Sequence, residues 1–543
     1  MTRYFHIWLL LLISGLTGMG GELLPKDNLS GPELRHILPP RRAVDLVSGI
    51  PWDYAKLKFN TMPDESTRWK QIEVPCDTYI RDGESGFFRT CFQLRPEEIG
   101  KTVLLKFRIV CPVGEVFLNG KPVKLHFDYT LPFECDISRY VKAGENILLV
   151  RHSNVKDMGK EFDGDNIPSV VGWSHVGRRG VSGPVHLEIT DPLHIRDIGV
   201  QTLIAGGKRL RILATVRNNG RTAKSCRIQA AVGSEWRTES PVVTVPPGAE
   251  RELELFKAWE NPKLWSPDTP HLYSADILLL SEGKTVDAYR QRFGFREISI
   301  KGNHLFLNGY PFINRRSSDS PDVGMDMIAR GSTSLPRKRA SKSVLREQLR
   351  RLRARGYVGI RSGLFELCEI SDACDEVGIL ISPLASVGSW GKTKTDRWWK
   401  LARIHEENMV RTFRNHPSVI YWGISNEFGT IYGGRGVEKI LTPKQVALGE
   451  FVQKLDPTRF WTAYGECDLG DPVSSPGPAP VRSYHYPVNM TYCGRNFPGV
   501  NYWYPDGVNL EWQGKFSHTD KPLMISEDLY HGMFDNFFCM AKW

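Results

Sequence analysis

The sequence predicts two β-sandwiches followed by a (β/α)₈ barrel. From about residue 50 to 190, and again from about 191 to 298, short apolar runs alternate with polar residues between Gly, Pro and Asn, which is typical of antiparallel sandwiches. After residue 305 helical patterns alternate with apolar strands, which indicates a parallel sheet covered by helices. The 543 residues are enough for about two to four domains.

In the first sandwich, period-2 runs such as FFRTCFQL, TVLLKFRIV and NILLVRHS predict strands. The run VFLNGKPVKL (116–125) predicts a hairpin, because Asn119-Gly120 can adopt the positive φ angles of a tight turn. In the second segment, RLRILATVRN, CRIQAAV, RELELF and YSADILLL suit an immunoglobulin-like sandwich. LWSPDTPHLY (264–273) reads as a proline-stiffened linker between two of its strands.

The barrel segment predicts three helices and seven strands. The helices are expected over 344–356, 366–378 and 397–416. The strands are expected in PFINR near 311–315 and in YVGIRS, GILIS, SVIYWGIS, FWTAY, VRSYHYP and PLMISE. In the first helix Leu345, Leu349 and Leu352 recur at helical spacing, so its arginines should form the outer face.

The N-terminus has the pattern of a secretory signal peptide, which we predict over residues 1–21. Arg3 supplies the positive start, an apolar stretch runs from Ile7 to Leu16, and small residues follow. The alternative is a retained N-terminal anchor. The apolar run is short for a membrane span, and no later stretch approaches that length. The sequence therefore predicts a secreted or periplasmic protein without a stable membrane span after cleavage.

Charge and cysteine usage argue against two other functional classes. The net charge of +10 comes largely from a basic loop at 336–343 and the outer face of one helix, and no nucleic-acid motif accompanies it. The ten cysteines contain no CxxC pair and no Cys/His cluster at zinc spacing. Cys368 and Cys374 fall in a helical pattern and are expected to be buried.

Two glutamates lie at the ends of predicted barrel strands. Glu427 follows the buried run SVIYWGIS, and Glu527 ends PLMISE. Active-site groups of such barrels lie at the C-terminal ends of the strands. Two facing carboxylates, one protonated and one ionised, are the groups that glycoside hydrolysis needs. The alternative is that each acid caps a following helix, which explains either one alone better than the pair.

The motifs of this chain resemble those of glycoside hydrolase family 2, the family of β-galactosidases, β-glucuronidases and β-mannosidases. NPKLWSPDTPHLY, RFGFREI and LFLNGYPF resemble its run into the barrel, NHPSVIYWGISNE its acid/base motif, and KPLMISE its nucleophile motif. The resemblance covers nearly the whole chain after the signal peptide. It implies a jelly-roll sugar-binding domain over 22–190, an immunoglobulin-like sandwich over 191–300 and a TIM-barrel catalytic domain over 301–543.

The resemblance also implies roles for individual residues. Glu427 corresponds to the general acid/base, Glu527 to the nucleophile and Asn426 to the residue that hydrogen-bonds the sugar 2-hydroxyl. Tyr486 matches the tyrosine that contacts the nucleophile, although it could also be a core tyrosine at a strand end. Arg361 fits the arginine that ends the second strand.

Two further residues are candidates for substrate binding. His485 and Tyr530 could line the sugar pocket or serve only in packing. The implied reaction is retaining hydrolysis of terminal β-linked sugars, with a carbohydrate as partner and no essential cofactor or metal. Some members of the family bind magnesium, but the sequence offers no convincing ligand cluster.

Three departures from the family pattern affect the sugar pocket. INRRSS stands where a glycine and a histidine usually follow the first strand, SGLFE where Ser-His-Tyr-Pro often occurs, and SPLAS where Asp-Glu is common. In addition, 16 residues follow Glu527, so we expect a barrel truncated before its eighth strand. These features favour a rival interpretation, a catalytically impaired homologue that only binds carbohydrate, whereas the intact glutamate pair favours an enzyme.

Overall fold

The structure of the protein is a computed structural model. It describes residues 35–128, 130–162, 180–312, 316–318, 342–384, 395–426, 438–464, 469, 477–485, 490–492, 495–497 and 521–527. The predicted signal peptide, the basic loop at 336–343 apart from its last two residues, and the chain after Glu527 lie outside these ranges. None of the helices that the structure describes is long and apolar enough to cross a membrane.

The first sandwich packs a four-stranded sheet against a six-stranded sheet. The strands in this part of the chain are β1 (Arg35–Leu38), β2 (Arg42–Asp45), β3 (Trp52–Lys58), β4 (Lys70–Ile72), β5 (Glu84–Leu94), β6 (Thr102–Phe107), β7 (Val110–Cys111), β8 (Val113–Leu118), β9 (Lys121–His126), β10 (Phe133–Asp136), β11 (Gly144–Ser153), β12 (Gly180–Val181) and β13 (Val185–Thr190). Short 3₁₀ helices span Pro96–Glu98 and Val155–Phe162. The antiparallel sheets run β10-β6-β13-β2 and β4-β3-β5-β11-β8-β9, and β12 pairs with β7.

The predicted hairpin is present between β8 and β9. Asn119 and Gly120 form its turn with φ angles of 50° and 77°. Inward-facing residues of both sheets, including Phe88, Leu105 and Leu187, form one apolar core. The alternation seen in the sequence therefore separates this core from the solvent face, as a period-2 pattern requires.

The second sandwich also recruits a strand from the start of the chain. Its own strands are β14 (Leu193–Leu203), β15 (Arg209–Asn218), β16 (Lys224–Val232), β17 (Trp236–Glu239), β18 (Val243–Val245), β19 (Glu250–Ala258), β20 (Tyr273–Ser281) and β21 (Lys284–Phe293). One sheet runs β14-β15-β19, and the other runs β1-β21-β20-β16-β17 with β18 beside β16. The linker 264–273 lies between β19 and β20, as predicted, and buries Trp265 completely.

The last part of the chain alternates parallel strands with helices. Its strands are β22 (Ile298–Lys301), β23 (His304–Leu307), β24 (Tyr310–Pro311), β25 (Arg316–Ser318), β26 (Gly359–Gly363), β27 (Leu380–Leu384), β28 (Tyr421–Asn426), β29 (Phe460–Tyr464), β30 (Arg482–His485), β31 (Met490–Tyr492), β32 (Arg495–Phe497) and β33 (Leu523–Glu527). Its helices are α1 (Lys342–Ala354), α2 (Leu364–Val377), α3 (Asp396–Phe413) and α4 (Glu438–Leu455).

Seven parallel strands follow one another around the barrel in the described part of the chain. β25, β26 and β27 form one parallel ladder, a bridge from Ile381 to Val419 links it to β28, and β28 pairs with β29. β30 lies beside β29 and pairs in parallel with β33. β22, β23 and β24 form a separate antiparallel sheet, and β31 and β32 form a hairpin.

Two details of the barrel differ from the sequence-based expectation. The first strand was expected near 311–315, but Tyr310–Pro311 belongs to the antiparallel sheet and the first parallel strand is Arg316–Ser318. Helix α4 was not predicted, because Pro443 lies inside it and interrupts the helical signal. The leucine face of α1 and the two cysteines of α2 are buried, as expected.

A buried arginine joins the two sandwiches. Arg41 donates hydrogen bonds to Asp287 on β21 at 2.6 and 2.9 Å and to Glu188 on β13 at 2.6 Å. It also donates to the carbonyl of Ile195 and lies 4.5 Å from the centre of the Tyr289 ring. All three charged side chains are almost fully buried, so the Arg41 guanidinium compensates both carboxylates, and Lys106 also contacts Glu188 at 2.6 Å.

A loop of the first sandwich inserts between the barrel helices α2 and α3. Leu131, on this loop, is fully buried in the core that the barrel helices share. Asp128 accepts hydrogen bonds from the backbone of Thr130 and Leu131 and from the Thr130 hydroxyl. It also contacts Nδ1 of His405 on α3 at 2.6 Å. Glu406, the next residue of α3, is fully buried, and its carboxyl oxygens have no hydrogen-bond partner among the described residues.

Three titratable side chains around this loop have shifted pKa values. Burial, together with the negative charge of Asp128, raises the pKa of Glu406 well above its usual value. Burial also opposes ionisation of Asp128, but His405 and the hydrogen bonds to its carboxylate hold the pKa of Asp128 below its usual value. Burial lowers the pKa of His126 to about 4. Burial therefore favours the protonated form of Glu406, whereas the surroundings of Asp128 favour its ionised form.

We predict that Arg41→Met strongly destabilises the protein. The substitution leaves Glu188 and Asp287 buried without their shared cation, which typically costs about 3–5 kcal/mol. Arg196→Met is the matched control, because Arg196 pairs with Glu250 at the surface and exposed pairs contribute less than about 1 kcal/mol. Denaturant unfolding of both variants measures the difference. Equal losses of unfolding free energy in the two variants would contradict the role of Arg41 in compensating the buried carboxylates.

We also predict that Glu406→Gln makes stability less sensitive to alkaline pH. Above about pH 4.3 the unfolded chain has released this proton while the folded protein retains it. The stabilisation is therefore complete below the unfolded pKa and is lost as the pH rises through the raised folded pKa. Glutamine holds no titrating proton, so the unfolding free energy should decline less between about pH 5 and pH 9. Glu407→Gln serves as control, because Glu407 on the same helix is only partly buried and pairs with Arg411. The same decline in Glu406→Gln as in the wild type would overturn the prediction.

Candidate active site

Four neighbouring barrel strands end in polar residues at the same edge of the barrel. β28 ends at Asn426, β29 at Tyr464, β30 at His485 and β33 at Glu527. The parallel register pairs Asn426 with Tyr464, and His485 with Glu527. The carboxyl ends of parallel barrel strands form the active-site face in enzymes of this architecture. The structure thus brings His485 and Glu527 side by side and places Asn426 on the same face.

The other sequence-predicted site residues divide into two groups. Arg361 lies in β26, where it is in register with Ser318 on one side and Ser382 on the other. Glu427, Tyr486 and Tyr530 lie outside the described residues, although Glu427 is the residue directly after Asn426. The roles assigned to all seven residues stay predictions.

A β-bulge shapes the end of β28. Gly423 pairs with Thr462 and Ser425 pairs with Ala463, so Ile424 is an extra residue in this strand. Ala463 and Ile424 belong to the core between the barrel and its helices, and Ser425 faces the same layer. Without the extra residue, strict alternation would turn Asn426 toward the helices. The bulge therefore presents Asn426, which is fully buried, to the barrel interior.

A second bulge occurs in β33. Tyr484 pairs with Ile525, and His485 pairs with Glu527, so Ser526 is an extra residue just before the predicted nucleophile. Both strands that lead to the predicted catalytic glutamates are thus irregular near their ends. Bulges are frequent next to active sites because they redirect the side chains that follow.

The sequence-based prediction missed two residues near this edge. Tyr464 lies in register with Asn426, and its only sequence signal was its place at the end of FWTAY. Gln445, on the unpredicted helix α4, donates a hydrogen bond from Nε2 to the Ser425 hydroxyl at 3.0 Å. Both residues of this pair are buried, and no sequence pattern links them.

The opposite end of β28 is fixed by two buried arginines. Arg459 donates hydrogen bonds to the carbonyls of Val419 at 2.7 Å and His416 at 2.8 Å. Arg296, from the segment that follows the second sandwich, donates to the carbonyls of Pro417 at 3.0 Å and Val419 at 2.8 Å. These bonds satisfy backbone acceptors that would otherwise be buried at high cost.

Arg459 is itself held by a buried carboxylate. Asp456 accepts from Arg459 at 2.5 Å and from the indole N–H of Trp422 at 3.1 Å. Burial alone would raise the pKa of Asp456, but Arg459 and the hydrogen bonds from Thr458 hold that pKa below its usual value. The carboxylate is therefore ionised and links the loop before β29 to the strand that carries Asn426.

One group of residues has the spacing of metal ligands. Potential ligand atoms of Asp372, Asp375 and His416 lie within 4.8 Å of one another. Arg292 already contacts Asp372 at 2.5 Å and lies 3.9 Å from Asp375, so a guanidinium supplies the positive charge there. The group precedes β28, at the end of the barrel opposite to Asn426. This position separates it from the candidate active site.

Together the fold and the strand ends define a sandwich–sandwich–barrel protein with a polar site at the C-terminal edge of the barrel strands. Three family models match the chain in this order. They are the family 2 glycosyl hydrolase sugar-binding domain over residues 71–167, the central family 2 domain over 193–296, and the family 2 TIM barrel domain over 367–527. The chain belongs to glycosyl hydrolase family 2. The predicted family and fold class are confirmed.

Curated relatives are similar over much of this chain. A β-galactosidase from Thermoanaerobacter pseudethanolicus is 28% identical over 353 residues, which is 62% of this chain and 44% of that protein. A β-glucuronidase from Bacteroides fragilis is 27% identical over 413 residues, 70% of this chain and 55% of that protein. The chain thus spans about half the length of the curated relatives it matches.

Solved structures share the fold at low sequence identity. A family 2 β-galacturonidase from Eisenbergiella tayi has a TM-score of 0.69 at 20% identity and covers 90% of this chain and 82% of its own. A β-glucuronidase from Bacteroides uniformis has a TM-score of 0.63 at 18% identity and covers 78% of this chain and 52% of its own. These likenesses concern the fold alone.

The site geometry leads to a structural prediction about the two glutamates. We expect the carboxyl groups of Glu427 and Glu527 to lie about 5–5.5 Å apart, because a retaining mechanism needs one of them to attack the anomeric carbon directly. An experimental structure of the complete chain would measure this distance. A separation near about 9 Å in a closed barrel would leave room for a water molecule and would indicate an inverting mechanism instead.

Proposed function

We propose that this chain is a retaining exo-β-glycosidase that removes terminal β-linked sugars. The observation that carries the proposal is the arrangement of β28 and β33, whose bulged ends deliver Asn426 and Glu527 to one edge of the barrel. Family membership and relatives named β-galactosidase and β-glucuronidase support it. The glycone would be of the β-galactoside, β-glucuronide or β-mannoside type.

In the first step the ionised Glu527 attacks the anomeric carbon. The bond from that carbon to the glycosidic oxygen breaks, and Glu427 donates its proton to the departing oxygen. The product of this step is a sugar bound to Glu527 through an ester, together with a free alcohol. Asn426 would donate a hydrogen bond to the sugar 2-hydroxyl, an interaction that strengthens in the transition state.

In the second step Glu427 acts as a base. It takes a proton from a water molecule while the water oxygen bonds to the anomeric carbon and Glu527 leaves as a carboxylate. The two inversions give net retention. The proposed assignment requires a neutral Glu427 and an ionised Glu527 at the start of each cycle.

One observation favours a second candidate, a carbohydrate-binding protein without turnover. Helix α2 begins at Leu364 directly after Gly363 ends β26, so no loop separates these two elements, whereas barrel enzymes build their pockets from the loops that follow the strands. A shallower pocket would hold a sugar less firmly for reaction. Assay of the wild-type chain with a panel of aryl β-glycosides separates the two candidates, because only the enzyme releases the phenol.

For the enzyme, we predict that Glu427→Ala lowers kcat/KM, which reports the glycosylation step, mainly for substrates with poor leaving groups. General acid catalysis contributes about 10²–10⁴-fold for an alcohol that needs a proton, whereas a dinitrophenolate leaves without one. Azide should partly restore turnover of the dinitrophenyl glycoside by attacking the glycosyl-enzyme without a base, and it should yield a β-glycosyl azide. Glu527→Ala, the control, should abolish hydrolysis of both substrates, and azide should not yield a β-glycosyl azide with this variant, because no glycosyl-enzyme forms. Unchanged hydrolysis of poor leaving groups by Glu427→Ala would exclude Glu427 as the acid.

A further inference from the structure

The bulge in β28 coincides with a buried hydrogen bond to helix α4. Ser425 is 1% exposed, and its hydroxyl accepts from Nε2 of Gln445, which is also 1% exposed, at 3.0 Å. Ala463, the register partner of Ser425, and Leu448, on the same helix as Gln445, belong to the apolar core between barrel and helices. A hydroxyl buried among such side chains is destabilising unless it finds a partner.

The bond distinguishes two possible registers of the strand end. In the bulged register Ser425 faces α4 and meets Gln445, while Asn426 faces the barrel interior. Removing the bulge would turn Ser425 inward and Asn426 toward the apolar helix layer. The Ser425 bond to Gln445 would then be broken, and the Asn426 carboxamide would be buried against apolar side chains. The bond therefore favours the register that the candidate site needs.

Helix α4 is well placed to hold this bond rigidly. Gly449, one turn after Gln445, lies directly over the ring of Trp461 on β29, and an added Cβ would come within 2.4 Å of that ring. Close packing at this point fixes the distance between α4 and the strand pair. The hydrogen bond from Gln445 to Ser425 thus holds the end of β28 at a fixed distance from helix α4.

We propose that Gln445 and Ser425 are positioning residues for the reaction, because their hydrogen bond holds the bulge that orients Asn426, the residue directly before the predicted acid Glu427. The inference rests on the proposed function. Neither residue contacts the sugar in this proposal. They act through the backbone of 424–426, which leads directly into the predicted acid.

The test compares Gln445→Met, Ser425→Ala and the double variant with the wild type. The substrates are a phenyl and a dinitrophenyl glycoside of whichever sugar the wild type hydrolyses. A displacement of about 1 Å at a reacting group can cost about 100-fold in rate. We expect kcat/KM for the phenyl glycoside to fall at least about 10-fold, and at least about threefold more than kcat/KM for the dinitrophenyl glycoside. A shift of Asn426 affects both substrates, whereas a shift of Glu427 affects only the one that needs the proton.

Two controls separate positioning from general loss of structure. Gln453→Met alters the same helix, but Gln453 donates to the carbonyl of Arg459 at 2.8 Å, away from the strand end. This variant should slow both substrates equally or not at all. The double variant should be no slower than the slower single variant, because both substitutions break one bond. Equal slowing of both substrates by Gln445→Met, or additive effects in the double variant, would overturn the inference.

A wild-type chain that hydrolyses no glycoside would refute the proposed function and leave the positioning claim open to a separate measurement. Crystal structures of the wild type and Gln445→Met then decide it. We expect the backbone of 424–426 to shift by about 1 Å or to lose its bulge in the variant. Superimposable backbones in the two structures would overturn the positioning role.

Discussion

The start of strand β28 depends on two guanidinium groups that share one carbonyl. Val419 accepts from both Arg459 and Arg296, and these arginines come from different parts of the chain. A strand can slide only in steps of its residues, and each step would break these charge-assisted bonds in a buried environment. The register set at this end is carried six residues along β28 to the candidate site. The position of the candidate site thus depends on both ends of the strand, that is, on these arginines and on the bulge with its bond from Gln445 to Ser425.

Buried charges also connect the three domains. Arg41 ties the first sandwich to the second, and Asp128 ties the first sandwich to helix α3 of the barrel through His405. Such contacts have directional geometry, unlike apolar packing, which tolerates small rotations. The interdomain contacts therefore fix the orientation of the domains relative to one another as well as holding them together. This matters for a site whose supporting residues, such as Arg296, come from outside the barrel helices.

Local patterns predicted much of the fold, whereas long-range pairings escaped prediction. Alternation and the Asn119-Gly120 turn identified the sandwiches because both are encoded within a few residues. Helix α4 was missed because Pro443 masks its periodicity, and the pairing of β1 with β21 was missed because about 250 residues separate the partners. The location of the site at the strand ends was predictable, because active-site groups of such barrels lie at the C-terminal ends of the strands. The bulges were not, since they depend on partners such as Gln445 that no local pattern reveals.

The loop of the first sandwich that ends in Leu131 completes the helical layer of the barrel, as its place in that core shows. The sandwich leaves the ribosome before α2 and α3, because it precedes them in the chain, so it can fold first. It can then act as a template, with Cys368 of α2 donating to the Thr130 carbonyl and His405 of α3 contacting Asp128. The order of the domains along the chain thus suits folding of the sandwich before the barrel. If the barrel were synthesised first, the core site that Leu131 fills would be exposed to water until the sandwich had folded.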